Sequence, residues 1–151
     1  MKSIIVLYSK TGNTLSVAEK LKESINCDLE QVKANSDNPN VKNLKLVVTP
    51  DIKAYDHIIF ASPVHGFSVT KVMRAYLEQL PDLSNKTIDL FVTHQFPFAW
   101  MGGNSTLKQM RKIISSKNGV VRNMSCVNWG SKKRQENIDS LLNKYSDEKN
   151  H

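Results

Sequence analysis

The chain has 151 residues, 40% of them hydrophobic, which suits one globular domain with a single core. Its formal net charge is +7, it has no apolar run near the roughly 18 residues of a membrane span, and Met1-Lys2 leads directly into an apolar stretch. We therefore expect one untargeted cytoplasmic domain over residues 1–151, with a frayed tail at residues 146–151.

The first apolar run, Ile4–Tyr8, predicts a buried strand, and the apolar spacing from Thr14 to Ile25 predicts a helix. The polar stretch between them starts a helix, where unpaired backbone N–H groups and the helix dipole favour an anion. Glycine permits close approach of a ligand, and hydroxyl and amide groups add hydrogen bonds. A phosphate monoester fits this stretch, whose members are Ser9, Lys10, Thr11, Gly12, Asn13 and Thr14.

The next segments are less regular. Residues 28–32 predict a polar edge strand, and the polar run from Asn35 to Asn40 leaves little room for a helix. Leu44, Leu46 and Val48 alternate like a short extended piece. A doubly wound fold normally has a crossover helix in this part of the chain, and its signal here is weak.

Regular alternation returns at residue 57. The predicted elements are a central strand at 57–61, a helix at 69–80 stopped by Pro81, a strand at 87–92, a helix N-capped by Asn104 and ended by Asn118-Gly119, a strand at 120–129 bulged near Arg122-Asn123, and a helix at 136–145. Five strands alternating with about four helices predict a parallel sheet with helices on both faces.

The first loop is similar to that of the flavodoxin family, in which a strand ending in an aromatic precedes a Thr-Gly-Asn-Thr loop and a helix. The matching residues are Val6 to Thr14, followed by Ala18 and Leu21. The loop is one residue shorter than usual and has Lys10 where a hydroxyl is common, which resembles a shorter-loop branch. The resemblance implies a flavodoxin-like α/β three-layer sandwich with strand order 2-1-3-4-5 and FMN as a non-covalent cofactor.

Three loops would then meet at the carboxyl edge of the sheet. The resemblance implies cofactor contacts from the first loop; from Ser62, Pro63, Val64, His65, Gly66 and Phe67 in the second; and from Thr93, His94, Phe98, Trp100, Gly102 and Gly103 in the third. His65 either stacks on the flavin or is a plain loop residue. The aromatic third loop is either a wall against a planar ligand or a plug on the core, and Trp129 is expected to cap the core.

The implied function is electron transfer by an FMN-binding protein without a catalytic residue of its own. Two alternatives stay open: an NAD(P)H-dependent FMN or quinone reductase on the same fold, and a binding module without redox turnover. The sequence lacks the Gly-x-x-x-x-Gly-Lys-Ser/Thr and Gly-x-Gly-x-x-Gly nucleotide motifs and a Gly-x-Ser-x-Gly elbow. Ser9 and Ser62 stand where a phosphoacceptor receiver domain would have acidic residues.

The remaining chemistry-bearing residues predict no second site. The four histidines lack metal-ligand spacing, so we expect no metal. Cys27 and Cys126 have neither a metal nor a redox spacing, and Lys33 and Lys132 replace the arginine that a phosphatase cysteine requires six residues later. We expect both thiols to be reduced and inert.

The basic charge is concentrated. Residues 90–135 contain eight Lys or Arg and no Asp or Glu, so this window is +8 and the rest sums to −1. Either the window is a solvated surface, or it forms a docking face for a redox partner with an acidic surface. No membrane or nucleic-acid partner is expected, because the basic residues are not interleaved with aromatics.

Overall fold

A computed structural model of the chain describes residues 2–66, 68–95 and 102–149. The elements in chain order are β1 (Ser3–Leu7), α1 (Asn13–Ile25), β2 (Asp28–Gln31), β3 (Lys33–Ala34), β4 (Leu46–Val48), β5 (His57–His65), β6 (Ser68–Val69), α2 (Lys71–Glu78), β7 (Thr87–His94), α3 (Gly103–Ser116), β8 (Val120–Asn128) and α4 (Arg134–Lys149). Five parallel strands form the sheet β2-β1-β5-β7-β8, which confirms the predicted order.

Helices cover both faces of this sheet. α1 and α4 bury Leu21 and Tyr145 against one face, whereas α2 and α3 bury Met73 and Met110 against the other. The middle strands are buried on both sides, which is why their sequences are almost continuously apolar. The architecture is the predicted three-layer sandwich.

An irregular segment takes the place of the weakly predicted crossover helix. β3 and β4 pair as a small antiparallel sheet, and Leu44, Leu46 and Ile52 pack on the core beside α2. The Tyr76 hydroxyl donates to the Pro50 carbonyl oxygen at 2.6 Å and fixes this segment to α2. Apolar side chains outside a helix therefore bury the core surface that a crossover helix would cover.

Several boundaries differ from the predictions. The helix predicted at 69–80 is shorter, because Val69 pairs in the hairpin as part of β6 and α2 spans only Lys71–Glu78. The strand predicted at 87–92 continues to His94 as β7. β5 continues to His65 because its end pairs with β6 in a hairpin. α3 begins at Gly103, and Gly102 is its N-cap residue. The prediction of Asn104 as the N-cap is therefore wrong. α4 starts earlier than predicted and its backbone is helical to Lys149, past the start of the predicted tail.

The predicted bulge near Arg122 is present. Ile88 pairs with Val121, but Asp89 pairs with Asn123, so the register shifts by one residue. The extra residue, Arg122, uses the shift to reach the Asp89 carboxylate.

Cys27 precedes the edge strand β2 and Cys126 lies in the opposite edge strand β8, and the two do not form a disulfide. Burial raises the pKa of Cys126 to about 11. Within the described ranges, no helix is long and apolar enough to cross a membrane.

Candidate functional site

The first loop turns tightly between β1 and α1. Gly12 adopts φ 93°, a left-handed conformation that side chains rarely accept, and no neighbouring atom lies near an added Cβ. The Ser9 hydroxyl accepts the backbone N–H groups of Gly12 at 3.2 Å and Leu15 at 3.3 Å. Ser9 thus shapes the turn, while Lys10, Thr11 and Asn13 face a cavity.

Thr14 joins the first loop to the third. Its side chain is buried, and its hydroxyl is hydrogen-bonded to the Thr93 hydroxyl at 2.8 Å. Thr93 is buried near the carboxyl end of β7 and also lines the cavity. This bond therefore joins the start of α1 to the carboxyl end of β7, although β5 lies between β1 and β7 in the sheet.

The second loop is a hairpin rather than a plain loop. Val64 pairs with Val69 and His65 with Ser68, and Gly66 has φ 53°. The hairpin is braced by α3, since Gln109 Oε1 accepts the Val69 N–H at 3.1 Å. The residues from Pro63 to Gly66 line the cavity, whereas the Ser62 hydroxyl is buried and donates to the Pro63 carbonyl oxygen at 2.9 Å.

The described start of the third loop contributes Thr93, His94 and Gln95 to the cavity. The His94 carbonyl oxygen accepts the backbone N–H of Trp129 at 2.7 Å, and Trp129 lines the same cavity. A Cβ on Gly103 would lie 2.9 Å from Cys126 Sγ and 3.4 Å from His94 Cδ2. Glycine at position 103 therefore lets α3 pack closely on β8 beneath the site.

A further wall comes from the irregular segment after β3. Ser36, Asp37, Asn38, Pro39, Val41 and Leu44 all line the cavity. The Tyr8 hydroxyl donates to Asp37 Oδ1 at 2.9 Å and connects this wall to the end of β1. Burial, followed by this hydrogen bond, raises the pKa of Tyr8 to about 12, so the phenol stays a donor near neutral pH.

Asn35 closes the base of this wall. Its side-chain amide donates to the Asn43 carbonyl oxygen at 2.9 Å, and its side-chain oxygen accepts the Lys45 N–H at 3.0 Å. Ser36 and Asn38 stabilise turns within the segment by accepting the N–H groups of Asn38 and Asn40. The wall is thus an ordered loop, which we call the 35–45 loop.

The cavity that these loops enclose has a volume of about 330 Å³. Its charged lining residues are Lys10, Asp37 and Lys71, with His65 and His94 in addition. The first loop supplies hydroxyls and a lysine to the lining, whereas Val41, Leu44, Val64 and Val72 supply apolar surface. A ligand that suits this lining has an anionic group and a largely apolar body.

The family model of the flavodoxin domain matches residues 4–149. The chain belongs to the flavodoxin family. Its candidate site lies at the switch point of strand order, between β1 and β5, where this type of sheet binds ligands.

Solved structures agree with this flavodoxin fold. A flavoprotein in complex with FMN from Lactobacillus acidophilus NCFM is 20% identical, with a TM-score of 0.67 over 96% of this chain and 98% of that one. A WrbA-like flavodoxin from Agrobacterium tumefaciens is 14% identical, with a TM-score of 0.71 over 99% and 97%. A flavodoxin from the domain Archaea is 16% identical, with a TM-score of 0.63 over the full length of both. A comparison with curated proteins found no match.

The predicted site residues of this flavodoxin domain fall into three groups. Those in the cavity lining are Lys10, Thr11, Asn13, Pro63, Val64, His65, Gly66, Thr93 and His94. Those that do not line the cavity but support the backbone of the loops around it are Ser9, Gly12, Thr14, Ser62, Gly102 and Gly103. Phe67, Phe98 and Trp100 lie outside the described residues, so the alternatives for the aromatic third loop stay open.

Sequence reasoning missed the 35–45 loop and assigned Trp129 to the core alone. Trp129 does pack against the core, but it also lines the cavity. A signal for the loop was available in its density of Asn, Ser, Asp and Pro, which indicates ordered turns as well as a missing helix.

Proposed function

We propose that this chain binds FMN non-covalently and transfers electrons through it. The observation that carries this proposal is the convergence of the phosphate-type loop, the hairpin and the end of β7 around one cavity. Its volume of about 330 Å³ lies within the roughly 300–1,000 Å³ of small-molecule sites. The FMN complex of the L. acidophilus flavoprotein supports the choice of cofactor.

In this proposal the N–H groups at the start of α1, with Lys10, Thr11 and Asn13, hold the phosphate. The hairpin residues Val64 and His65 position the flat ring from one side. When bound, FMN supplies one- and two-electron redox chemistry. The residues of the chain orient the cofactor, exclude water from one side of it and set the local charge.

The phosphate contact gives the sharpest test. Replacing Asn13 by Ala removes one hydrogen bond to a charged acceptor, worth about 1.5–3 kcal/mol, so the Kd for FMN should rise roughly 10- to 150-fold. Titration of FMN fluorescence with apoprotein measures it. Asn85→Ala is the matched control, since Asn85 is exposed at the other edge of the sheet.

A purified protein that gains no visible flavin absorption on FMN addition would contradict the proposal. Equal Kd values for the Asn13 and Asn85 variants would show that the first loop is only a helix cap. Binding of FMN without reversible bleaching by dithionite would favour a binding module that lacks redox turnover.

A reductase is the second candidate, favoured by the 35–45 loop. This loop adds Pro39, Val41 and Leu44 to the cavity and gives it apolar surface on which a second flat molecule could bind. Steady-state oxidation of NAD(P)H by the FMN-loaded protein, with and without a quinone, separates the two functions. An electron carrier should show almost no turnover.

A further inference from the structure

Five exposed cations come from three segments that each supply lining residues to the cavity. Lys10 and Lys71 line it, and three more follow Trp129, which also lines it. We call this set the cationic rim; its members are Lys10, Lys71, Lys132, Lys133 and Arg134, all exposed. Within the part of the chain that the structure describes, none of the five forms an ion pair. Asp37, a carboxylate in the cavity lining, already accepts the Tyr8 hydroxyl.

The structure divides the basic window that the sequence treats as one face. Lys132 to Arg134 come shortly after Trp129, a residue of the cavity lining, whereas Arg122 lies near the amino end of β8 and binds Asp89. Lys117 follows α3 at that same end. Only part of the +8 therefore contributes to the rim, and Lys10 and Lys71 join it from outside the window.

The position of the three later cations works against fold stability. Arg134 is the first residue of α4, and Lys132 and Lys133 come just before it. A helix start carries about half a positive charge, so acidic residues stabilise it by about 0.3–1 kcal/mol each and cations do the reverse. Glu136 is the acidic residue of the first turn. Helix stability thus does not explain these cations.

The rim is also held in place. The Arg134 guanidinium carbon lies 4.6 Å from the Trp129 ring centroid, and its Nη1 donates to the Trp129 carbonyl oxygen at 3.2 Å. The Ser131 hydroxyl accepts the Lys133 N–H at 3.0 Å. Asn128 Oδ1 accepts the Gly130 N–H at 3.2 Å. Trp129 is thus fixed between the rim and the cavity.

We propose that the cationic rim docks an acidic, one-electron redox protein, an inference that rests on the proposed FMN function. The five cations come from three segments, namely the first loop, the start of α2 and the stretch that leads from Trp129 into α4. A broad acidic surface meets cations of all three segments together, whereas a single phosphate needs only the first loop. In each encounter the reduced redox centre of the partner loses one electron, and the FMN gains that electron. Two encounters complete the reduction, with protons from solvent.

The test measures electron transfer from a reduced, acidic [2Fe–2S] ferredoxin to the oxidised, FMN-loaded protein by anaerobic stopped flow. The variant Lys132→Glu/Lys133→Glu should lower the second-order rate constant about 10-fold or more at low salt. Near 1 M salt, where the Debye length is about 3 Å, it should react at the wild-type rate.

Arg111→Glu/Lys112→Glu is the matched control. It changes the net charge equally at exposed positions, about 12 Å along α3 from its start at 1.5 Å per residue. We expect the control variant to lower the second-order rate constant less than about threefold, which is the effect of the changed net charge alone. Reoxidation of the reduced protein by a neutral benzoquinone should be the same in both variants and wild type, because a neutral oxidant does not need the rim.

Several outcomes would overturn the inference. Equal slowing in the two variants would show a general charge effect, and slowing with benzoquinone would show a disturbed cofactor site. Slower reaction with NADPH but not with ferredoxin would assign the rim to a dinucleotide phosphate instead. If the protein bound no FMN, the visible spectrum would show this before any kinetics, and the proposed function itself would fail.

Discussion

Asp89 lies near the amino ends of the strands, at the end of the sheet opposite the cavity, and it joins several strands there. Its carboxylate has no exposed surface and lies 2.6 Å from His57 Nε2 and 2.8 Å from Arg122 Nη2. The Asn123 N–H donates to its other oxygen at 3.0 Å, and His57 Nδ1 lies 3.0 Å from the Ser3 hydroxyl. Four strands thus meet in one polar network.

Charge in this network makes stability depend on pH. Burial alone would raise the pKa of the Asp89 carboxyl, but hydrogen bonds from His57 and Arg122 and the Arg122 charge hold it below its usual value. A lowered folded-state pKa means that the stabilisation is complete above the unfolded value of about 3.9. It is lost as the pH falls through the folded value.

We therefore expect Asp89→Asn to lower the free energy of unfolding by about 3–5 kcal/mol at pH 7, because it removes the buried carboxylate charge that His57 and Arg122 bind. The difference from wild type should narrow as the pH falls below about 4, because the unfolded wild-type carboxyl takes up a proton there and the folded one does so only at lower pH. Urea unfolding at a series of pH values measures both effects. Asp139→Asn on the exposed side of α4 should change stability by less than about 0.5 kcal/mol. A pH-independent difference at Asp89 would contradict the argument.

At the scale of elements, the 35–45 loop is the part of the fold that most affects the site. It covers core surface that a helix would otherwise cover, and the two Asn35 side-chain hydrogen bonds join its two ends. They act together with the backbone hydrogen bond that the Asn35 N–H donates to the Lys45 carbonyl oxygen at 2.9 Å.

Asn35→Ala should loosen the loop without unfolding the sheet. Losing two hydrogen bonds worth about 1 kcal/mol each should raise amide exchange rates in residues 36–44 roughly tenfold or more, with exchange in β5 and β7 unchanged. Asn43→Ala is a close control, because Asn43 takes part only through its backbone carbonyl. Exchange that rises equally in both variants would show that the Asn35 side chain does not close the loop.

Strands, helices and their order were predictable because the buried strands are apolar on both faces and the helices keep their periodicity. The 35–45 loop was not, because its contacts join residues far apart in sequence, as Tyr8 and Asp37 are. The convergence of three loops followed from strand order alone. Which side chains face the cavity did not: Thr14 and Ser62 turn inward to hydroxyl partners on other elements, and no local pattern marks that choice.

At the scale of the whole molecule, charge is distributed unevenly between the ends of the sheet. The Arg122 charge at the far end is matched by Asp89, whereas the cavity end keeps Lys10 and Lys71 without ion pairs among the described residues. A linear charge count cannot separate these two situations. A flavin in the cavity would therefore be reduced in a positive field.

Positive potential favours the anionic reduced flavin, so the second reduction potential should be less negative than in an acidic relative. Lys71→Gln should make it more negative by about 30–60 mV, because one cation near the ring contributes roughly 1 kcal/mol. Lys117→Gln removes the same charge beyond the end of α3 and should shift it far less. Potentiometric titration of the FMN-loaded proteins measures both shifts in reduction potential. Raising the salt concentration should reduce the shift of the Lys117 variant more than that of the Lys71 variant, because salt screens distant charges most. Equal shifts in the two variants would mean that net charge, and not the lining of the cavity, sets the potential.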